Sequence, residues 1–193
     1  MTLRVVILAA GESARLGEPK ALARIGPRTA LAHLAAAASA IDPRPIVVAG
    51  AHADRIEREL PQGCVLALNP NWRAGRLAGI AVARELAGFT DLCLAPVDVP
   101  LVEAQVFEAL ANAWRDAGEP PEGWLAPRSA PSGRHGHPVI AGRALLARLE
   151  GVSILRELRA AARPLLEVEV ASIAVLDDVD TPEDLLRLRE RFP

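Results

Sequence analysis

Lysine is almost absent from this sequence: of 22 basic residues, only Lys20 is not arginine. A compact ammonium and a planar guanidinium fork do different jobs, so the one lysine marks a position to watch. Cysteine is scarce as well. Cys64 and Cys93 both lie in apolar runs, CVLAL and DLCLAPV, where a thiol behaves as a small buried hydrophobe. Two such residues supply neither a disulfide framework nor a CxxC metal site. Long hydrophobic runs are missing. The longest stretches free of Asp, Glu, Lys and Arg, such as Thr29 to Ile41, are 13 residues, short of the ~18 to 20 that a membrane helix needs. The apolar run Val5 to Ala10 is cut off by Glu12 and Arg15 near the lower limit of about 7 residues for a secretory core, so a cytoplasmic protein without a membrane partner is expected. Nor is one sign of charge in excess. A net charge of −2 and a pI near 6.1, with charges mixed along the chain, leave no basic stripe for polymeric nucleic acid.

What is present is a chain able to fold. Apolar residues make up 51% and charged residues 24% of 193, a balance that favours burial over disorder and suits about one domain. Short apolar runs of strand length recur at Leu3 to Ala10, Pro45 to Ala49, Cys64 to Leu68 and Leu92 to Val97. Rich in Val, Ile and Leu without polar alternation, they read as parallel strands covered on both faces. Between them lie helical stretches at Thr29 to Ala40, Asp54 to Glu59, Arg76 to Leu86 and Val102 to Trp114. The β-α alternation predicts an α/β fold, a mostly parallel Rossmann-like sheet with helices on both faces and its ligand crevice beyond the carboxyl ends of the strands. After Gly118 the pattern is less regular: strand-like WLAP from Trp124, a polar loop from Arg128 to Pro138 suited to substrate specificity, and a strand through Val139 to Ala141. Helices from Arg143 to Leu149 and Ser153 to Ala162, strand-like runs at Leu166 to Val170 and Ile173 to Leu176, and a helix from Pro182 to Arg191 complete the chain. No repeat or linker forces a second domain, so residues 1–193 are expected to form one.

The first strand runs into LAAGESARLGEPKAL, which packs Gly11, Ser13, Arg15, Gly17 and Lys20 into one turn. Glycines let backbone N–H groups approach a ligand, and such a turn with cationic side chains suits a phosphate. The spacing matches neither GxGxxG nor a P-loop, whose GK must be followed by Ser or Thr. An ordinary βα loop with surface cations is the plain alternative, and the solitary lysine argues against it.

The segment LAAGxSxRxGxxK after a strand resembles the signature loop of the MobA-like nucleotidyltransferases of the molybdenum-cofactor type, shared loosely with cytidylyl- and uridylyltransferases acting on sugar or alditol phosphates. Further matches follow in order: NPNW with Gly75, PVDVPLV, GRHGHPV and DVDTPEDL. The resemblance covers nearly the whole chain. It implies a nucleotidyltransferase-type fold that binds a nucleoside triphosphate and Mg²⁺ and moves a nucleotidyl group onto a small phosphate acceptor, releasing pyrophosphate. LAAG at this point, with Ala10 where guanylyl-transferring members usually carry glycine, is similar to the cytidylyl-transferring members. The implied enzyme is a molybdenum cofactor cytidylyltransferase that uses CTP, with a molybdoenzyme or its maturation factor as a further partner. The alternatives are transfer to a sugar or alditol phosphate, and a carrier of cofactor or nucleotide that does not catalyse.

Carried onto this chain, the resemblance puts Leu8, Ala9, Ala10, Gly11, Ser13, Arg15, Lys20 and Asn69 around the nucleotide, with Arg15 and Lys20 on the triphosphate as the catalytic pair and Trp72 near the same side. It implies that Asp98 binds the metal and that His137 lies beside the acceptor. Position alone puts Asp98 at the carboxyl end of an expected central strand, where ligands sit; a carboxylate favoured by the dipole of the helix starting near Val102 is the other reading. In DVDTPEDL, Thr181, Pro182 and Asp184 read as N-cap, first helical residue and capping partner. Asp178 and Asp180 are left over; the resemblance implies that either reaches the metal, with Asp180 favoured as the second ligand and Asp178 the alternative, and a solvated acidic turn is the plain reading. In HGH, His135 and His137 make no zinc site by themselves, and His33 and His52 have no partner that the sequence names. Two segments depart from the family pattern: Gly75-Arg76-Leu77-Ala78-Gly79 in place of a longer GMxxSLxxG, and LEGVSILREL in place of a GDxGAR-like stretch. Both are expected to lie where substrate is held.

Overall fold

A computed structural model describes residues 3–190. Among the described residues there are nine strands: β1 Arg4–Ala9, β2 Arg24–Ile25, β3 Arg28–Thr29, β4 Ile46–Ala49, β5 Val65–Leu68, β6 Leu92–Pro96, β7 Trp124–Ser129, β8 Val139–Ala141 and β9 Leu165–Val170. The α-helices are α1 Ala30–Ala38, α2 Ala53–Arg58, α3 Arg76–Ala87, α4 Ala104–Asp116, α5 Arg143–Leu146, α6 Leu155–Ala161 and α7 Pro182–Arg189. Seven strands form one sheet in the order β5-β4-β1-β6-β8-β7-β9, in which β8 alone runs antiparallel to its neighbours. The expected mostly parallel α/β sheet is therefore observed.

The apolar strands β1, β4 and β6 are largely buried on both sides, as their composition requires, whereas β5, at the sheet edge, is only partly covered and leaves Leu68 exposed. Alternate residues of β1 feed different cores: Val5, Ile7 and Ala9 pack with Leu31, Leu34, Ile56 and Phe107 from α1, α2 and α4. Val6 instead packs with Ile80 and Ala83 of α3 and with Leu145, Leu146 and Leu158 of α5 and α6. Strand order moves outward from β1 through β4 to β5 and then returns to β6 on the other side of β1. That reversal splits the loops after β1 and β6 and opens a crevice between them at the carboxyl end of the sheet.

Several elements differ from expectation. Ile173 to Leu176 is a 3₁₀ turn, Ala174–Leu176, rather than a strand; the Ser172 hydroxyl accepts the Ala174 N–H at 3.1 Å, and such a local bond competes with sheet pairing. The helix expected over Arg143 to Leu149 stops at Leu146, whose carbonyl accepts from Arg84 Nη1 at 2.9 Å, and a 3₁₀ turn follows at Leu149–Gly151. Helix α4 begins at Ala104 with Glu103 as N-cap, leaving Val102 free to bury in the core. The loop expected from Arg128 is shorter, because β7 continues to Ser129 alongside β9. Of the final helix, Arg191 lies outside the described residues.

The β2–β3 hairpin, too short to read from sequence, forms a third cluster with α7. Leu16 of the loop after β1, Ile25, Val179, Leu185 and Leu188 bury together there. Thr181 caps α7 as expected: its Oγ1 accepts the Asp184 N–H at 3.3 Å and Asp184 Oδ2 accepts the Thr181 N–H at 3.0 Å.

Candidate active site

A cleft of about 330 Å³ opens at the reversal point of the sheet. Its walls are the loop after β1, the end of β6 and the start of α3. Leu8, Ala9, Ala10, Gly11, Ser13, Arg15, Lys20 and Asp98 all line it, so eight of the residues singled out from sequence meet in one place.

The loop geometry follows from two residues with positive φ. Gly17 adopts +79° without penalty, whereas Ser13 at +58° is strained for a side chain of its type. Ser13 holds that conformation by accepting three N–H groups: its carbonyl takes those of Leu16 (3.1 Å) and Gly17 (3.3 Å), and its hydroxyl takes that of Lys20 (3.0 Å). The loop thus doubles back and brings Lys20 under Arg15. Gly50 closes the other side, since a Cβ there would sit 2.5 Å from the Trp72 Cβ and 2.7 Å from the Ala10 carbonyl oxygen. No side chain fits, so β4 and the Trp72 turn abut the loop directly.

Asp98 follows β6 at the cleft wall. Its carbonyl accepts the Val179 N–H at 2.7 Å, and among the described residues no hydrogen bond or ion pair engages its carboxylate. The helix-dipole reading fails, because α4 starts five residues after Asp98's neighbour Val99, beyond the reach of the first turn. The Val179 bond carries the chain back over the cleft and delivers Asp180, whose carboxylate meets Lys20 Nζ and Arg15 Nη2, the latter at 2.8 Å. Lys20's hydrogen bond, followed by the charges of Lys20 and Arg15, holds the Asp180 carboxyl below the usual carboxylate range. Asp178 faces solvent and is tied through its backbone, its N–H donating to the Leu176 carbonyl at 3.1 Å and its carbonyl accepting from Arg187 at 3.2 Å.

Asn69 and His137 stand behind the cleft walls. Asn69 is 3% exposed; its Oδ1 accepts the Asn71 N–H at 3.1 Å and its buried Nδ2 has no partner among the described residues. His137 is tied by its N–H to the Val175 carbonyl at 2.9 Å, and its ring Nδ1 is buried without a partner among the described residues. Burial lowers the His137 pKa, Asp98 opposes that shift and Arg76 reinforces it. The ring is therefore neutral at pH 7. It should titrate below the ordinary value of 6.5 in an NMR pH series. An unfolded chain binds that proton first, so His137 should cost stability as pH falls from about 6.5 through its folded value. Titration at or above the ordinary value would show a ring open to solvent.

His135 pairs instead with Glu167 at 2.8 Å on the exposed face of β9, away from the cleft. His33 Nε2 lies 2.8 Å from the Ile25 carbonyl. His52, which follows β4 at the carboxyl end, lines the cleft and bonds the Glu12 carbonyl at 2.9 Å. Its place in a loop after a strand was the sequence signal for it. Arg76, from the first of the two departing segments, is a further cleft residue; it opens α3 and its guanidinium has no hydrogen bond or ion pair among the described residues. The two departing segments separate here. Gly75, Arg76 and Gly79 do line the cleft. LEGVSILREL does not, because β8 runs antiparallel and releases the chain at the far end of the sheet.

The model of the MobA-like NTP transferase domain matches residues 5–171. The chain belongs to that family. Among solved structures, Rv0371c from Mycobacterium tuberculosis H37Rv is similar at 26% identity and TM-score 0.79, with 98% of each chain covered. Another structure of that protein is a complex with manganese. Molybdopterin-guanine dinucleotide biosynthesis protein A from Archaeoglobus fulgidus shares the fold at 18% identity and TM-score 0.75, covering 97% of each chain. So does 2-C-methyl-D-erythritol 4-phosphate cytidylyltransferase from Thermus thermophilus, at 24% identity and TM-score 0.70, covering 99% of this chain and 98% of that one. No curated protein matches the sequence. The MobA-like family makes this a nucleotidyltransferase. Among the described residues no helix is long and apolar enough to cross a membrane.

Proposed function

We propose that this chain, as one nucleotidyltransferase domain, transfers a cytidylyl group from CTP to the phosphate of molybdopterin cofactor and releases pyrophosphate. The observation that carries the reading is the pairing, across one cleft, of two cations on the loop after β1 with the unengaged carboxylate of Asp98. Lys20 and Arg15 hold the triphosphate. Leu8, Ala9, Ala10, Gly11 and Ser13 shape the nucleotide side, with Asn69 supporting it from behind. His137 stands on the acceptor side near Asp98.

Asp98 and Asp180 suit a hard divalent cation. They are two carboxylates from segments joined by the Val179–Asp98 bond, and Mg²⁺ takes one or two carboxylates together with substrate phosphates rather than a full protein cage. Among the described residues no cluster of three or more metal-ligating side chains competes with this assignment. When bound, Mg²⁺ would neutralise charge on the triphosphate and polarise it toward attack. An oxygen of the acceptor phosphate attacks the α-phosphorus in line; the new P–O bond forms as the bond to the β-phosphate oxygen breaks, and its electron pair leaves with pyrophosphate. Positioning and charge neutralisation carry such a step, and Lys20 and Arg15 meet the leaving group.

Base choice follows from the tight turn Ala9-Ala10-Gly11 at the cleft wall. Competition binding should rank CTP above GTP, and equal or reversed affinity would remove the cytidylyl assignment. The reaction itself is tested by incubating the protein with Mg²⁺, each nucleoside triphosphate and a panel of acceptors, then measuring pyrophosphate. Release that depends on molybdopterin cofactor supports the proposal; release with a sugar or alditol phosphate instead selects that alternative. Absence of release with any acceptor leaves the carrier reading.

A further inference from the structure

Lys20 and Arg15 both end on one carboxylate. Lys20 Nζ donates to Asp180 Oδ1 and Arg15 Nη2 reaches Asp180 Oδ2 at 2.8 Å, so each oxygen takes one cation. The contact is built rather than incidental. The Val179 N–H is fixed on the Asp98 carbonyl at 2.7 Å, and the Asp180 N–H donates to Asp184 Oδ2 at 3.2 Å, extending the capping box of α7 by one residue. Val179, Leu185 and Leu188 bury against Leu16 of the very loop that carries the cations. This arm follows residue 171, where the family match ends.

A carboxylate held between two cations is a resident anion in a phosphate cradle. A triphosphate arriving alone must take Lys20 and Arg15 from Asp180 and then lie against the displaced carboxylate, like charge beside like charge. A triphosphate that brings a divalent cation offers the carboxylate a new partner in exchange. The required movement is small on the arginine side, because Arg15 is 71% exposed, whereas Lys20 is only 15% exposed and holds Asp180 at the cleft edge. Resting on the triphosphate role proposed for these cations, we infer that Asp180 makes the nucleotide site selective for metal-bound over metal-free triphosphate, by occupying both cations until the complex exchanges with it.

Isothermal titration calorimetry with CTP and with inorganic tripolyphosphate, each in EDTA and in Mg²⁺, tests this on wild type, Asp180→Asn and Lys20→Ala. Wild type should bind at least ~10-fold more tightly in Mg²⁺ than in EDTA, a coupling of ordinary size. In Asp180→Asn the affinity in EDTA should rise by about 10-fold and the ratio between the two media should fall toward one. Asparagine keeps the side-chain shape, and Thr181 and Asp184 still cap α7, so the melting temperature should hold; Asp180→Ala serves if it does not. Unchanged or weaker binding in EDTA by the folded variant overturns the inference. Lys20→Ala separates the two levels. If it weakens binding in both media while Asp180→Asn leaves the ratio intact, the selectivity falls and the nucleotide site stands. If it alters neither affinity, both fall.

Discussion

Asp98→Asn should lower kcat by ~10²-fold or more while leaving the melting temperature nearly unchanged. The substitution keeps the shape of the side chain and removes one charge from a carboxylate that has no hydrogen bond or ion pair among the described residues. Nothing in the fold rests on that charge: the bond that ties Asp98 to the C-terminal arm uses its backbone carbonyl, accepting from Val179 at 2.7 Å. Its loss should therefore fall on the step in which charge develops on departing pyrophosphate, and kcat should respond more than nucleotide affinity. A capping role would give the opposite pattern, with destabilisation of ~1 kcal/mol or less and full turnover. The start of α4 at Ala104, with Glu103 rather than Asp98 in the N-cap position, already argues against it. Mg²⁺-dependent kcat and thermal melting measured on the same variant decide the matter, and normal kcat at saturating Mg²⁺ would sink the metal assignment.

Lys20→Arg is expected to cost at least ~10-fold in kcat/KM, or about 1.4 kcal/mol of transition-state stabilisation. Charge is conserved, so a purely electrostatic role would tolerate the change. Donor geometry is what changes. Lys20 opens a 3₁₀ turn, Lys20–Leu22, with its backbone N–H on the Ser13 hydroxyl at 3.0 Å, and the two residues that follow it are buried. Its ammonium converges with Arg15 on a single carboxylate. A guanidinium is larger, planar and fixed in its donor directions, so it meets the Asp180 carboxylate beside Arg15 in a different geometry. Steady-state kinetics on the variant give the test, with wild-type turnover meaning that the solitary lysine reflects composition rather than chemistry.

Much of this architecture was legible in the chain because its causes are local. Leu3 to Ala10, Pro45 to Ala49, Cys64 to Leu68 and Leu92 to Val97 read as doubly covered strands, since an unbroken apolar run has no polar side to turn to water; Val5 to Ile7, Ile46 to Ala49 and Leu92 to Ala95 are buried throughout, whereas Leu68 on the edge strand β5 is exposed. The capping box at Thr181 and Asp184 and the folded-back loop at Gly11 to Lys20 likewise depend on residues a few positions apart, whose hydrogen bonds close within one turn. Local signals also misled. Ile173 to Leu176 has strand composition, but β9 already forms the sheet edge and Ser172 turns the chain before a further strand can pair. The reversed direction of β8 depends on which sheet position remains open once β6 has paired with β1, and that placement carried LEGVSILREL to the end of the sheet away from the cleft.

The candidate site divides in the same way. Sequence alone brought Gly11 to Lys20 together, because one loop holds them, and it put Asp98 at a strand end, because strand ends follow from apolar runs. It determined that a nucleotidyltransferase-type loop leads into an α/β sheet. Only the tertiary structure decided that Asp180, 160 residues from Lys20, closes on that loop, that Arg76 and His52 share the cleft, and that Asn69 and His137 stand behind its walls. Such meetings depend on how the two faces of the sheet are filled and on the third cluster around Leu16 and Val179. Packing of that kind is set by the whole chain at once, and no short window of residues contains it.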